Sequence, residues 1–218
     1  MSMVIGKSKA GEKTGEDAHK SANVPATKSR DGRDRLLYGA GRLLAERGYA
    51  GMELRDVAER GEAPRGSIYH HFPGGKAQLA TEAAELDGVR IRIGIERSLV
   101  ERGLKETLAR FGEIFRKQAS NDPSRIGCPV AAAALARPED PALAAAATAA
   151  FESWEGAIAA ALEREGVAAD RAATFAAMVV STVEGALVRT RAAGDLAPLD
   201  SAIAGLGQSL DSLLAEAK

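Results

Sequence analysis

The sequence predicts an all-α fold of about nine helices, split into a small three-helix N-terminal unit and a larger helical C-terminal unit. Three observations predict it. Apolar residues recur at helical spacing from about Asp31 to the end of the 218-residue chain, and no convincing strand pattern or internal repeat interrupts them. Glycine and proline stand between the stripes, where helices end and begin. The third observation is the stretch LRDVAERGEAPRGSIYHHFPGGK, Leu54 to Lys76, which packs two short helices and a tight turn into few residues.

Composition narrows the class further. Hydrophobic residues make up 45% of the chain, ordinary for a globular protein that folds unaided. No run of about 18 apolar residues is present, and the N-terminus MSMVIGKSKAGEKTGEDAHK lacks the apolar centre of a signal peptide, so no membrane partner and a cytoplasmic location are expected. Cys128 is the single cysteine, which excludes an intrachain disulfide framework and argues against a cysteine-based zinc site. A net charge of −1 does not argue against nucleic-acid binding, because what matters is where the positive charge sits.

The elements follow in order. Residues 1–30 carry Lys7, Lys9, Lys13, Lys20, Lys28 and Arg30 among small and polar residues, the composition of a disordered basic arm. Helix one starts near Asp31, carries Leu36, Ala40, Leu43 and Leu44 on one stripe, and ends at Gly48, where a residue with positive φ is wanted. Helix two places Leu54, Val57 and Ala58 at i, i+3 and i+4 and stops at Gly61. Its start falls on Met52 or Glu53, neither of which is a good N-cap. A third short helix follows Pro64. Arg65, Ser67, Tyr69, His70 and His71 make most of its surface polar, leaving chiefly Ile68 and Phe72 to anchor it. A helix that polar faces water or a polar partner. Two short helices joined by a tight turn suggest a helix-turn-helix over residues 31–76.

At this point the residues resemble a known family. G-Y-x-G-x-x-L-R-D-V-A, then P-R-G-S-I-Y-H-H-F-P-G-G-K-x-x-L, is similar to the DNA-binding domain of TetR-family transcriptional regulators over roughly residues 31–80. Two departures stand out. The family usually has Thr or Ser at the start of helix two, often on a phosphate, where this chain has Met52 and Glu53; it usually has Gly in the turn, where this chain has Glu62 beside Gly61. The resemblance implies a double-stranded DNA operator as partner. A major groove admits one α-helix, so Arg65 and Ser67 are the candidates for base contacts, Arg65 because a guanidinium pairs bidentately with guanine. Gly66 lets the helix approach closely. Tyr69, His70 and Lys76 resemble family positions that grip phosphate, with Arg55 of helix two a weaker candidate for that task. No metal is expected at His70 and His71, since adjacent helical residues point about 100° apart, and no cofactor is expected anywhere.

A long fourth helix spans about Gly75 to Arg97, with Leu79, Ala83, Leu86, Val89 and Ile93 as its apolar face and Gly88 and Gly94 as possible bend points. Helix five carries Leu104, Leu108, Phe111 and Phe115; Pro129 opens helix six, PVAAAALA, with Cys128 near its cap. Asp140-Pro141 opens helix seven, striped by Leu143, Ala147, Phe151, Trp154, Ile158 and Leu162. Asp170 is expected to cap helix eight, whose face is Phe175, Met178, Val179, Val183, Ala186 and Leu187, and helix nine carries Leu199, Ile203, Leu206, Leu210 and Leu213.

G-C-P-V-A-A-A-A-L-A resembles the C-terminal domain of the LmrA/YxaF-type subgroup of TetR regulators. The resemblance implies that residues 77–218 are a helical ligand-binding and dimerisation domain, with helices eight and nine, residues 170–216, expected to pair with a second copy as a four-helix bundle to form a homodimer. Phe111, Phe115, Cys128, Phe151, Trp154 and Met178 among alanine-lined helices form a candidate pocket for a small apolar or aromatic effector; ordinary core packing is the competing reading for each. Glu184 and Arg189 meet either a polar ligand group or water. The function expected is a ligand-responsive repressor on a near-palindromic operator. The alternatives are a constitutive DNA-binding regulator without an effector and, furthest out, an enzyme using Cys128, around which neither a Cys/His arrangement nor paired carboxylates can be placed.

Overall fold

The computed structural model describes residues 31–119 and 122–217, and every regular element among them is helical. The expected basic arm, residues 1–30, lies outside the described residues. The helices are α1 (Gly32–Arg47), α2 (Leu54–Arg60), α3 (Arg65–His71), α4 (Gly75–Ala119), α5 (Pro129–Ala134), α6 (Pro141–Arg164), α7 (Ala169–Ala193) and α8 (Ala197–Glu216), with a 3-10 turn at Pro123–Arg125.

Eight helices stand where about nine were expected because the fourth and fifth follow each other without a loop, two helical segments that meet at a kink. The 45-residue α4 runs past Arg97 and breaks only at Gly103, whose φ of 80° is non-helical. Gly88 and Gly94 are not the bend points. Gly88 instead gives close packing: a Cβ there would stand 2.7 Å from that of Ala150 on α6. The expected apolar face of α4 also drifts. Leu79 and Ala83 are buried, but Val89 and Ile93 are each 48% exposed, and Ile95 and Leu99 take over the inward side.

Capping residues explain most of the other boundaries. Asp31 accepts from the Gly32 N–H, and Asp140 accepts from the Leu143 N–H at 3.0 Å, so α1 and α6 begin on side-chain caps. Asp170 does not cap α7. The cap is Ala168, without a side-chain bond, and Asp170 sits inside the first turn, where a carboxylate still favours the helix dipole. One continuous core runs from Leu36, Leu43, Met52, Ile68, Phe72 and Leu79 through Leu143, Trp154 and Leu162 to Leu187, Leu199 and Leu210. Helix α4 thus belongs to both halves, packing on α1 at one end and on α6 and α8 further along. By length and composition α7 is apolar enough to cross a membrane, with mean hydropathy 1.3, yet its inner face is buried against α6 and α8 as in a core helix.

Candidate nucleic-acid interface

The turn between α2 and α3 is set by backbone chemistry. The Glu62 N–H donates to the Glu59 carbonyl at 3.1 Å and the Ala63 N–H to the Ala58 carbonyl at 2.9 Å. These are the two bonds of a Schellman ending, which needs a left-handed residue at its C′ position. That residue is Glu62, with φ 48°, while Gly61, one position earlier, has an ordinary φ of −78°. Gly61 serves packing instead. A Cβ there would stand 3.1 Å from the Arg35 carbonyl oxygen of α1, and Arg35 Nε donates to the Gly61 carbonyl at 2.9 Å. Glu53 caps α2 without a side-chain bond, and Met52 is fully buried, so the missing Thr or Ser is replaced by an apolar anchor.

Helix α3 is held from one side only. Ile68 and Phe72 are buried, with the Arg33 guanidinium over the Phe72 ring at 5.2 Å. Arg65, Gly66, Tyr69 and His70 are exposed, Tyr69 to 63%. Among the described residues nothing stands within 4 Å of a Cβ built at Gly66, so no packing contact with them requires the glycine. The Ser67 hydroxyl donates to the Pro64 carbonyl at 2.6 Å, which fixes its orientation at the start of the helix. Lys76, in the first turn of α4, lies over the Tyr49 ring at 4.8 Å and donates to the Ala50 carbonyl at 3.3 Å. Arg55 is 65% exposed over its side chain and pairs with Asp56 at 3.2 Å. The structure therefore brings Arg65, Gly66, Ser67, Tyr69 and His70 onto one short exposed helix, with Lys76 just beyond it.

The six candidates for an effector pocket are dispersed over four elements. Phe151 and Trp154 meet edge to face at 5.3 Å, and the Trp154 indole N–H donates to the Gly88 carbonyl of α4 at 2.9 Å. Phe111 and Phe115 are half-buried near the end of α4, Met178 is 39% exposed on α7, and Cys128 is buried as the cap of α5. None of the six lines either of two depressions of the surface: one of about 420 Å³ between α1 and α2, edged by Arg47, Arg55 and Arg60, and one of about 280 Å³ between α4 and α8. Burial and the neighbouring Glu184 carboxyl push the Cys128 thiol well above its usual range. Burial likewise raises Glu184 to about 7, against a hydrogen bond from Cys128 that acts the other way. The residue as a whole is partly exposed, but Oε2 is buried and accepts no hydrogen bond among the described residues. Sequence reasoning passed over Glu46 and Arg191, which tie the two halves together, and no local pattern could have found them, because Arg191 meets the Glu46 carbonyl from 145 positions away.

Comparison with known proteins agrees with this arrangement. The family described as bacterial regulatory proteins of the tetR family matches residues 36–83, and the family described as transcriptional regulator LmrA/YxaF-like, C-terminal domain, matches residues 104–204. The HTH-type transcriptional regulator Rv0196 of Mycobacterium tuberculosis is 36% identical over 175 residues, covering 77% of this chain and 88% of that protein. The regulator YxaF of Bacillus subtilis is 31% identical over 172 residues, 78% of this chain and 90% of its own. Among solved structures, a TetR transcriptional regulator from Legionella pneumophila superposes with a TM-score of 0.73 at 22% identity, over 83% of this chain and 97% of the other, a likeness of fold. These families and relatives are transcriptional regulators and not enzymes. A helix-turn-helix presented on a helical domain, matched at both ends of the chain, places this protein in the TetR family of DNA-binding transcriptional regulators, with a C-terminal domain of the LmrA/YxaF-like type.

Proposed function

We propose that the protein is a ligand-responsive repressor that binds a near-palindromic operator as a homodimer in the cytoplasm and releases it on binding a small apolar or aromatic effector. The observation that carries the DNA half is α3, an exposed helix holding Arg65, Ser67, Tyr69 and His70 over a two-residue apolar anchor. Its polar side chains suit a major groove, Arg65 and Ser67 reaching base edges while Tyr69, His70, Lys76 and Arg55 meet phosphates. A repressor named AcnR from Corynebacterium glutamicum, 36% identical over 104 residues and matched over 55% of its length, supports the sign of regulation.

Dimerisation gives the operator its symmetry: two reading helices about 34–36 Å apart fit successive half-sites of a palindrome. In support, the outward face of α7 exposes Met178, Gly185 and Val188, and α8 exposes Ala204 and Gly205 beside it in sequence order, small and apolar residues that let helices approach closely. The effector reading rests on the Phe151–Trp154 pair and on the buried Cys128 with Glu184 beside it, which offer a polar end to an otherwise apolar region. A constitutive regulator is the second reading, and two observations favour it: the Trp154 N–H is already engaged by Gly88, and neither depression reaches the six candidate residues.

Gel shifts against the DNA upstream of the protein's own gene test both halves. Arg65→Ala with an intact fold is expected to weaken the complex by roughly 5- to 150-fold, the loss of one bidentate base contact. An unchanged complex sinks the assignment of α3. Titrating the wild-type complex with a panel of aromatic and apolar compounds then separates the two readings: release by one compound supports the switch, and retention across the panel supports the constitutive regulator.

A further inference from the structure

The last turn of α1 is held by the other half of the molecule in a way that α4 does not account for. An α-helix ends with four carbonyls that have no partner inside it. In α1 the Leu44 carbonyl accepts from the Gly48 N–H at 2.9 Å, but the next two accept from a single side chain far along the sequence. Arg191 of α7 donates through Nη1 to the Ala45 carbonyl at 3.1 Å and through Nη2 to the Glu46 carbonyl. A guanidinium cation at a helix C-terminus also meets the favourable end of the dipole.

The Glu46 side chain ties the same turn to two further elements. Its carboxylate, 8% exposed, accepts from Arg60 of α2 at 2.7 Å and from Arg125 of the 3-10 turn at 2.9 Å, with Arg42 of α1 itself at 3.7 Å. Gly127 presses on this turn as well, since a Cβ there would overlap the Ala45 carbonyl oxygen. The next residue, Cys128, pairs with Glu184, which stands two turns from Arg191 on the same face of α7. One turn of α1 thus gathers α2, the segment before α5, and α7.

We propose that Glu46 and Arg191 are positioning residues for DNA recognition: they clasp the end of α1 so that α7 and the 3-10 turn set the orientation of the α2–α3 reading pair. The inference rests on the reading of this chain as an operator-binding protein. Arg191 acts through two carbonyls with one rigid, planar group, so a shift of α7 along its axis breaks both bonds together. Arg60 passes the position of Glu46 directly to α2. The clasp adds a polar connection between the halves to those made by the shared helix α4 and by the packing of α1 on α5, and it begins next to the Cys128–Glu184 pair.

The test uses the full chain and a duplex that the wild-type protein selects from a random-sequence pool, with an unrelated duplex of equal length as control. Arg191→Met is expected to weaken the selected duplex about tenfold or more, the size of a typical coupling between sites, while the control duplex changes little and the melting temperature stays near wild type. Arg191→Lys, which keeps the charge but cannot span both carbonyls, is expected to behave in the same direction. Hydrogen exchange gives a readout that needs no DNA: in Arg191→Met the amides of α1, α2 and α3 exchange faster while those of α6 and α8 do not. Equal losses on both duplexes, no loss on either, or exchange that accelerates throughout the chain would overturn the clasp. Should the wild-type protein select no duplex, the operator reading fails by itself, and exchange confined to α1–α3 or spread over the chain still decides the clasp.

Discussion

Glu62 is the residue at which this chain diverges from the simplest chemistry of its own turn. It occupies the left-handed C′ position with φ 48°, and a β-carbon there costs about 1–2 kcal/mol, partly offset in a glycine by greater freedom in the unfolded chain. Glu62→Gly is therefore expected to stabilise the protein by about 0.5–1 kcal/mol, read as a higher urea midpoint at an unchanged slope; a lower midpoint would mean that the Glu62 side chain supports the turn. The sequence shows a glycine one position early. Its use could not be read from local pattern, because what excludes a side chain at Gly61 is the Arg35 carbonyl on a different helix. Glu184 makes a second prediction at this scale, through pH. Its folded pKa of about 7 lies above the ordinary value of 4.5, so the folded state binds the proton more tightly. The cost of ionising it is absent below pH 4.5, grows as pH rises through the window to 7, and is fully present above, where it is on the order of 3 kcal/mol. Glu184→Gln removes that ionisation. The variant is expected to gain stability over wild type at pH 8 and little at pH 4.5, as measured by urea unfolding at matched protein concentration; an equal difference at both pH values would remove the carboxyl from the account.

Among the elements, α4 shows most clearly what a local reading captures and what it misses. Its start, the lysine in its first turn and its early core residues Leu79 and Ala83 follow from periodicity. Its length does not, because the chain resumes helix after Gly103 in a direction that only packing against α6 and α8 determines. The same distinction runs through the other elements. α1, α2 and α3 are legible because their ends carry their own signals: Asp31, Gly48, Pro64 and the polar surface of the third helix. The clasp on α1 is not legible, since Arg191 lies 145 positions from the Glu46 carbonyl it holds. Asp170 shows the limit of a capping rule, because the chain enters α7 two residues earlier at Ala168. Two glycines of α4 give a paired prediction of opposite sign. Gly94 is exposed with open space around it, so Gly94→Ala is expected to stabilise by about 0.5–1 kcal/mol through helix propensity. Gly88→Ala drives a methyl to 2.7 Å from Ala150 and crowds the carbonyl that receives the Trp154 indole, at an expected cost of about 1–3 kcal/mol. Thermal unfolding of the two variants decides it: stabilisation by both would mean that α4 and α6 are not packed closely at this crossing.

The whole molecule works on the proposed reading only as a pair, and the outward face of α7 is where that can be tested. Met178, Ser181, Gly185 and Val188 recur there at helical spacing, all exposed, Val188 to 64%, while the inner face carries Phe175, Val179 and Leu187 into the core. A substitution on the outer face leaves those core contacts alone, so its effect on folding should be small and its effect on assembly large. Val188→Arg places like charges near one another across a two-fold contact and buries them if the helices still meet. The variant is expected to sediment with the mass of one chain, 22.7 kDa, at micromolar concentration while keeping its helical content. Operator binding should fall with it. A dimer gains its second half-site at the effective concentration set by the first, an advantage of about 10²–10⁴ in affinity, and a monomer forfeits it even with α3 intact. Binding to a single half-site should be nearly unchanged. That last measurement separates assembly from recognition: a variant that loses both has damaged the fold, a variant that keeps its dimer mass shows that the pair is made through another face, and a monomer that still holds the half-site confirms that the spacing of the two reading helices is what the C-terminal half supplies.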